Sequence, residues 1–205
     1  MSINVCNDRS MASITSLPSG VSGSSLVLLS TQTASSSSTV DFTSDIDSTF
    51  KEYIFKFIDV HPAAVSQFSF QGNAAGGSGY NETITSTSFQ SFHREDNSST
   101  SLNYRTGDDQ AQGTSFQVLT NNVGDDADQS FAGTLHLFDP SSTTFVKHFI
   151  SRIQVYRSTG SSAEASSVEA FTAGYFNTTS AIDEIQFKMS SGNIDAGTIK
   201  MYGVV

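Results

Sequence analysis

After Ser25 no stretch of the chain sustains the apolar period of an amphipathic helix. Apolar residues come in short runs, many alternating with polar ones, cut by glycine, proline, asparagine or aspartate. That is the pattern of short strands joined by turns. Serine and threonine dominate the polar remainder, and their hydroxyls compete for backbone hydrogen bonds within a helix. The 16 Phe and 6 Tyr supply bulky core material, and 205 residues suit one domain with a substantial core.

Single segments sharpen the expectation. Residues 26–29 read as a buried first strand. Tyr53, Phe55 and Phe57 alternate with Ile54, Lys56 and Ile58, which predicts a central strand apolar on both faces, ended at Asp59-Val60-His61-Pro62 because proline cannot donate to a ladder. Ser66, Phe68 and Phe70 alternate with Gln67, Ser69 and Gln71, a half-buried strand, and the glycines of 72–80 predict a loop. Residues 83–92, 102–104, 116–119, 135–137 and 145–156 read as further strands, with Asp139-Pro140 closing one of them. Residues 168–176 suit a strand or a short helix; Phe171, Tyr175 and nearby threonines favour the strand. Ile185, Phe187, Met189, Ile199 and Met201 alternate with polar residues about Ser190-Ser191-Gly192-Asn193, predicting a hairpin with Lys188 and Lys200 on its wet face. The sum is an all-β chain: an antiparallel β-sandwich of jelly-roll type over 25–205, preceded by an extended N-terminal arm, 1–24.

Charge narrows the partners. Twenty acidic against ten basic residues give a net −10. That field repels phosphate backbones and anionic lipid, so nucleic acid is a poor partner. The longest early apolar run is far shorter than the roughly 20 residues a bilayer demands, so no membrane insertion is expected. With no basic-then-apolar leader, the expectation is synthesis in a cytoplasm without a signal peptide. One cysteine, Cys6, excludes a disulfide within the chain.

Several segments together carry a resemblance: Val5-Cys6-Asn7-Asp8; the run 29–36 opening Leu29-Ser30-Thr31-Gln32; Asp47-Ser48-Thr49-Phe50 within 46–53; Phe138-Asp139-Pro140-Ser141 within 137–149; Asn177-Thr178-Thr179-Ser180-Ala181; and Ser190-Ser191-Gly192-Asn193 within 189–203. The chain resembles a family of structural proteins of marine tailed phages, described as tail-fibre-like or virion proteins. The resemblance implies a non-enzymatic component of the virion surface: a fibre, knob or decoration protein. A receptor- or glycan-binding module at a fibre tip is the alternative, a depolymerase the more distant one. It also implies a homo-oligomer, a trimer by family analogy. The arm, with Val5, Cys6, Asn7, Asp8, Ile14, Leu17 and Pro18, would join the chain to other virion proteins, and a host-surface receptor is a further partner.

Residue chemistry points to no reaction and no cofactor. His61, His93, His136 and His148 are scattered without zinc spacing and read as surface or sheet-packing residues. Gly76-Gly77-Ser78-Gly79 is followed by Tyr80 rather than completing a nucleophile elbow. Asp125, Asp126 and Asp128 are calcium candidates, with Asp108 and Asp109 in a second acidic loop. They lack EF-hand spacing and read as solvated loops. Asn81, Asn97 and Asn177 match the glycan-acceptor pattern by virtue of the Ser/Thr-rich composition.

Overall fold

Alternation of bulky and polar residues becomes twelve strands and no helix among the residues that the computed structural model describes, 25–158 and 165–205. They are β1 (Leu26–Ser37), β2 (Val40–Phe42), β3 (Glu52–Pro62), β4 (Phe68–Ala74), β5 (Ile84–Arg94), β6 (Thr100–Tyr104), β7 (Gln117–Val118), β8 (Phe131–Phe138), β9 (Lys147–Arg157), β10 (Ser166–Phe176), β11 (Ile182–Met189) and β12 (Ile194–Val204). All pairings are antiparallel. They build an eight-stranded sheet, β1-β12-β3-β8-β9-β10-β5-β6, and a four-stranded sheet, β2-β11-β4-β7.

The sheets face each other across an aromatic core. Phe187 of β11 lies 5.4 Å from Phe55, 5.3 Å from Phe57 and 5.5 Å from Phe68, nearly parallel to the last. Phe70, Phe131, Phe149 and Phe176 extend the cluster toward β9 and β10, all wholly or almost wholly buried. Each such side chain contributes about 1.5–3 kcal/mol through burial.

The C-terminal pattern places its apolar residues as expected: Ile185, Phe187, Met189, Ile199 and Met201 are all buried, with Lys188 and Lys200 half-exposed. The expected hairpin does not form. β11 pairs with β2 and β4, while β12 pairs with β1 and β3. The turn at 190–193 therefore crosses from one sheet to the other, and the two apolar faces meet through the core rather than side by side.

Other local expectations are corrected too. Among the described residues β1 pairs only with β12, at one edge of the sheet, and Val27 and Leu28 are 38% and 52% exposed. β3 does end at Pro62, as its proline predicts, after an irregularity in which Asp59 takes a φ of 49°. Opposite it stands Gly197 at φ 119°, where an added Cβ would lie 2.6 Å from Val60 Cα, so only glycine fits. β4 is buried on both faces and extends through Gly72 to Ala74. Its polar phase is covered and bonded: Gln71 Nε2 donates to the carbonyls of Glu82 and Ser115, both at 3.0 Å, and Ser69 Oγ to that of Lys188 at 3.1 Å.

The segment 105–130, which includes β7, sends the apolar Leu119 and Val123 into the core and covers the middle of the inner side of β5 and β10 with polar groups. Ser86, Ser88, Gln90 and Thr172 are buried there. Ser86 Oγ donates to Gln117 Oε1 at 2.6 Å, and Asn121 Nδ2 to Gln90 Oε1 at 3.1 Å.

Candidate binding face

Between Ile84 and Phe92, which pack on the core, the inner phase of β5 is polar, and the bulky Phe89 turns outward. Phe89 is 41% exposed, although its neighbour Gln90 is buried. On β9 and β10 the outward phases carry His148, Ile150, Arg152 and Gln154, then Glu169, Phe171, Ala173 and Tyr175, opposite the buried Phe149, Ile153 and Val155. Cross-strand register gathers these side chains into rows. One row runs Arg152, Phe171, Phe89, Tyr104 across β9, β10, β5 and β6. The next runs Ile150, Ala173, Thr87.

The first row is a stack of rings and a cation. Phe89 and Phe171 lie 4.8 Å apart and 11° from parallel, and the Arg152 guanidinium sits 5.4 Å from the Phe171 centroid. Arg152 Nε also donates to Glu169 Oε1. Tyr104 Oη donates to Asp109 Oδ2 at 2.5 Å, and that bond to a carboxylate holds the phenol above its ordinary pKa.

The small residues of the second row leave a depression between taller neighbours. It is a groove of about 550 Å³ bordered by Phe138, His148, Ile150 and Tyr175, with Thr87 and Ala173 lining it. Its walls are almost wholly apolar. On the far side of the ring stack a second groove of about 460 Å³ is lined by Ser91, His93, Leu102, Ser167 and Glu169, polar and apolar in equal measure. Both grooves thus lie on the outer face of the broad sheet, the first over β8, β9, β10 and β5 and the second over β10, β5 and β6.

The sequence singled out other residues. Val5, Cys6, Asn7, Asp8, Ile14, Leu17 and Pro18, and the whole proposed arm, lie outside the described residues. Asp125, Asp126 and Asp128 are exposed, and Asp126 Oδ2 accepts a bond from Gln129 Nε2 at 3.0 Å. Asp108 is buried, paired with Arg105 at 2.9 Å and bonded by Gln67 Nε2 at 3.1 Å. Among the described residues no three His, Cys, Asp or Glu side chains gather to hold a metal ion. The histidines are dispersed: His61 Nδ1 meets the Gln129 carbonyl at 2.6 Å, His136 Nδ1 donates to Glu52 Oε1 at 2.6 Å, and His148 borders the apolar groove.

Sequence reasoning assigned 83–92, 145–156 and 168–176 to strands but did not mark Phe89, Ile150, Phe171 or Tyr175 as a surface. The available signal was phase: strands such as β9 carry apolar residues at both parities, more than one buried face consumes. Compared with protein-family models and with curated proteins, the chain matches none.

Proposed function

We propose that this chain is a non-enzymatic structural protein on the surface of a tailed-phage virion, a fibre, knob or decoration component. The observation that carries the proposal is the strand order. Eight strands run β1-β12-β3-β8 in one sheet against β2-β11-β4-β7 in the other, and the chain crosses between sheets at nearly every step. We read this order as a jelly roll of two Greek keys, an architecture used by viral capsid and lectin domains. Two insertions widen it: β5 and β6 between β4 and β7, and β9 and β10 between β8 and β11. Fold alone hosts many functions, so the family-like segments at 29–36, 137–149 and 189–203 add the virion setting.

In this proposal residues 1–24 mount the chain on other virion proteins, and copies associate, a trimer being the arrangement that the family analogy favours. The test is mass spectrometry of purified particles together with truncation before Ser25. Intact chain in stoichiometric amount, and loss of the truncated form from particles, supports the proposal; absence of the intact chain from particles overturns it.

A second reading, recognition of a host-surface receptor or glycan, is favoured by the two grooves flanking the Phe89–Phe171 stack on the inserted strands. Adsorption of the purified chain to host cells, reduced by Ala173→Arg, distinguishes it from a purely structural role.

A further inference from the structure

We infer that the outer face of the eight-stranded sheet is the surface through which a second copy of this chain docks. Leu28 and Ile150 are each 52% exposed on it, Phe89 41%, Tyr104 53% and Leu102 71%. Solvent-facing sheets normally present polar residues at such positions, and large apolar side chains exposed in this number across one face mark an interaction surface.

Size fits the occupant. Eight strands spaced about 4.8 Å apart, mostly of some 11 residues rising about 3.3 Å each, offer a footprint of roughly 1,300 Å². A stable protein–protein contact needs about 800 Å² per partner. Two such faces pack at about 10 Å, as sheets do within a sandwich.

Charge selects a second copy. At net −10, two copies repel unless they meet where neither carries much negative charge. Of the chain's 20 carboxylates, the regularly paired outward positions of this sheet carry Glu52 and Glu169. Each already has a partner on the face, His136 and Arg152. Lys56 lies over the Tyr202 ring at 5.2 Å, and Lys200 stands beside it in register. The regularly paired part of the face is therefore close to neutral on a strongly acidic molecule, with Asp59 and Asp195 exposed at irregular positions of β3 and β12 and Asp109 reaching the face through Tyr104. An isologous contact, the same patch on both copies, places the rows of Ile150 and Phe171 against each other, with Glu95, Asp126 and Asp128 near Tyr156 at one end of β9; it is a pairwise contact, distinct from the threefold arrangement proposed above.

The face does not depend on the virion role: a chain absent from particles would still associate through it, so the two proposals fail separately. The test is sedimentation of the full chain over a wide concentration range, with Ile150→Glu and Leu102→Glu, each checked for an unchanged far-ultraviolet circular dichroism spectrum. Asp125→Asn is the control. The wild type and the control associate alike, and a folded variant weakens association roughly tenfold or more. Leu102, on the sheet edge, decides the matter if Ile150→Glu fails to fold. A wild type that stays monomeric overturns the inference. So does undiminished association of the folded variants, including the case in which only removal of residues 1–24 abolishes it and the arm is the contact.

Discussion

Ser86 donates a 2.6 Å hydrogen bond to Gln117 across the inner side of the broad sheet, with both side chains out of water. Gln117 Nε2 in turn donates to the carbonyls of Asp108 at 2.7 Å and Val118 at 2.8 Å. This layer inverts β5, sending serines and Gln90 inward and Phe89 outward. Gln117→Leu keeps the bulk and removes every one of these bonds, leaving buried groups unpaired. We expect a loss of about 2–4 kcal/mol in urea denaturation, and a much smaller loss for the exposed Gln154→Leu.

The aromatic core converges on Phe187, which contacts rings from β2, β3 and β4. Phe187→Ala opens a cavity between the sheets and costs about 3–5 kcal/mol, read as a lowered melting temperature. Phe145→Ala, at a residue 68% exposed, leaves the melting temperature nearly unchanged.

Tyr80 Oη donates to Glu184 Oε2 at 3.1 Å. Burial first, then the Glu184 carboxylate, raises the phenol's pKa above its ordinary value of 10.0. An acid raised on folding stabilises the protein fully below its unfolded pKa, and that contribution fades as pH climbs toward the folded value. Stability therefore falls as pH rises above about 10. Tyr80→Phe loses about 1–2 kcal/mol at neutral pH and shows a shallower alkaline decline, measured by denaturation across pH 8 to 11.

The all-β class and nearly every strand were legible because alternation is a local signal, written into residues such as Ile185, Phe187 and Met189. What alternation cannot write is which strand lies alongside which. Met189 and Ile199 look like hairpin partners, yet the intervening turn carries the chain across the core. Nor does alternation say what covers each face. Ser86, Ser88 and Gln90 look solvent-facing, and only the distant segment 105–130 makes them interior. The candidate face was hidden for that reason: Phe89 and Phe171 resemble core residues until their own inward neighbours are accounted for. The proposed arm residues from Val5 to Pro18 lie outside the described residues, so the mounting role rests on the sequence.

The most direct measurement of the proposed virion role is a reconstruction of the whole particle to which that proposal assigns the chain. The account predicts density for the 25–205 sandwich on the particle surface in symmetric copies, with the segment before Ser25 reaching the mounting protein. A particle in which no surface density accommodates the two sheets, β1-β12-β3-β8-β9-β10-β5-β6 over β2-β11-β4-β7, would contradict it.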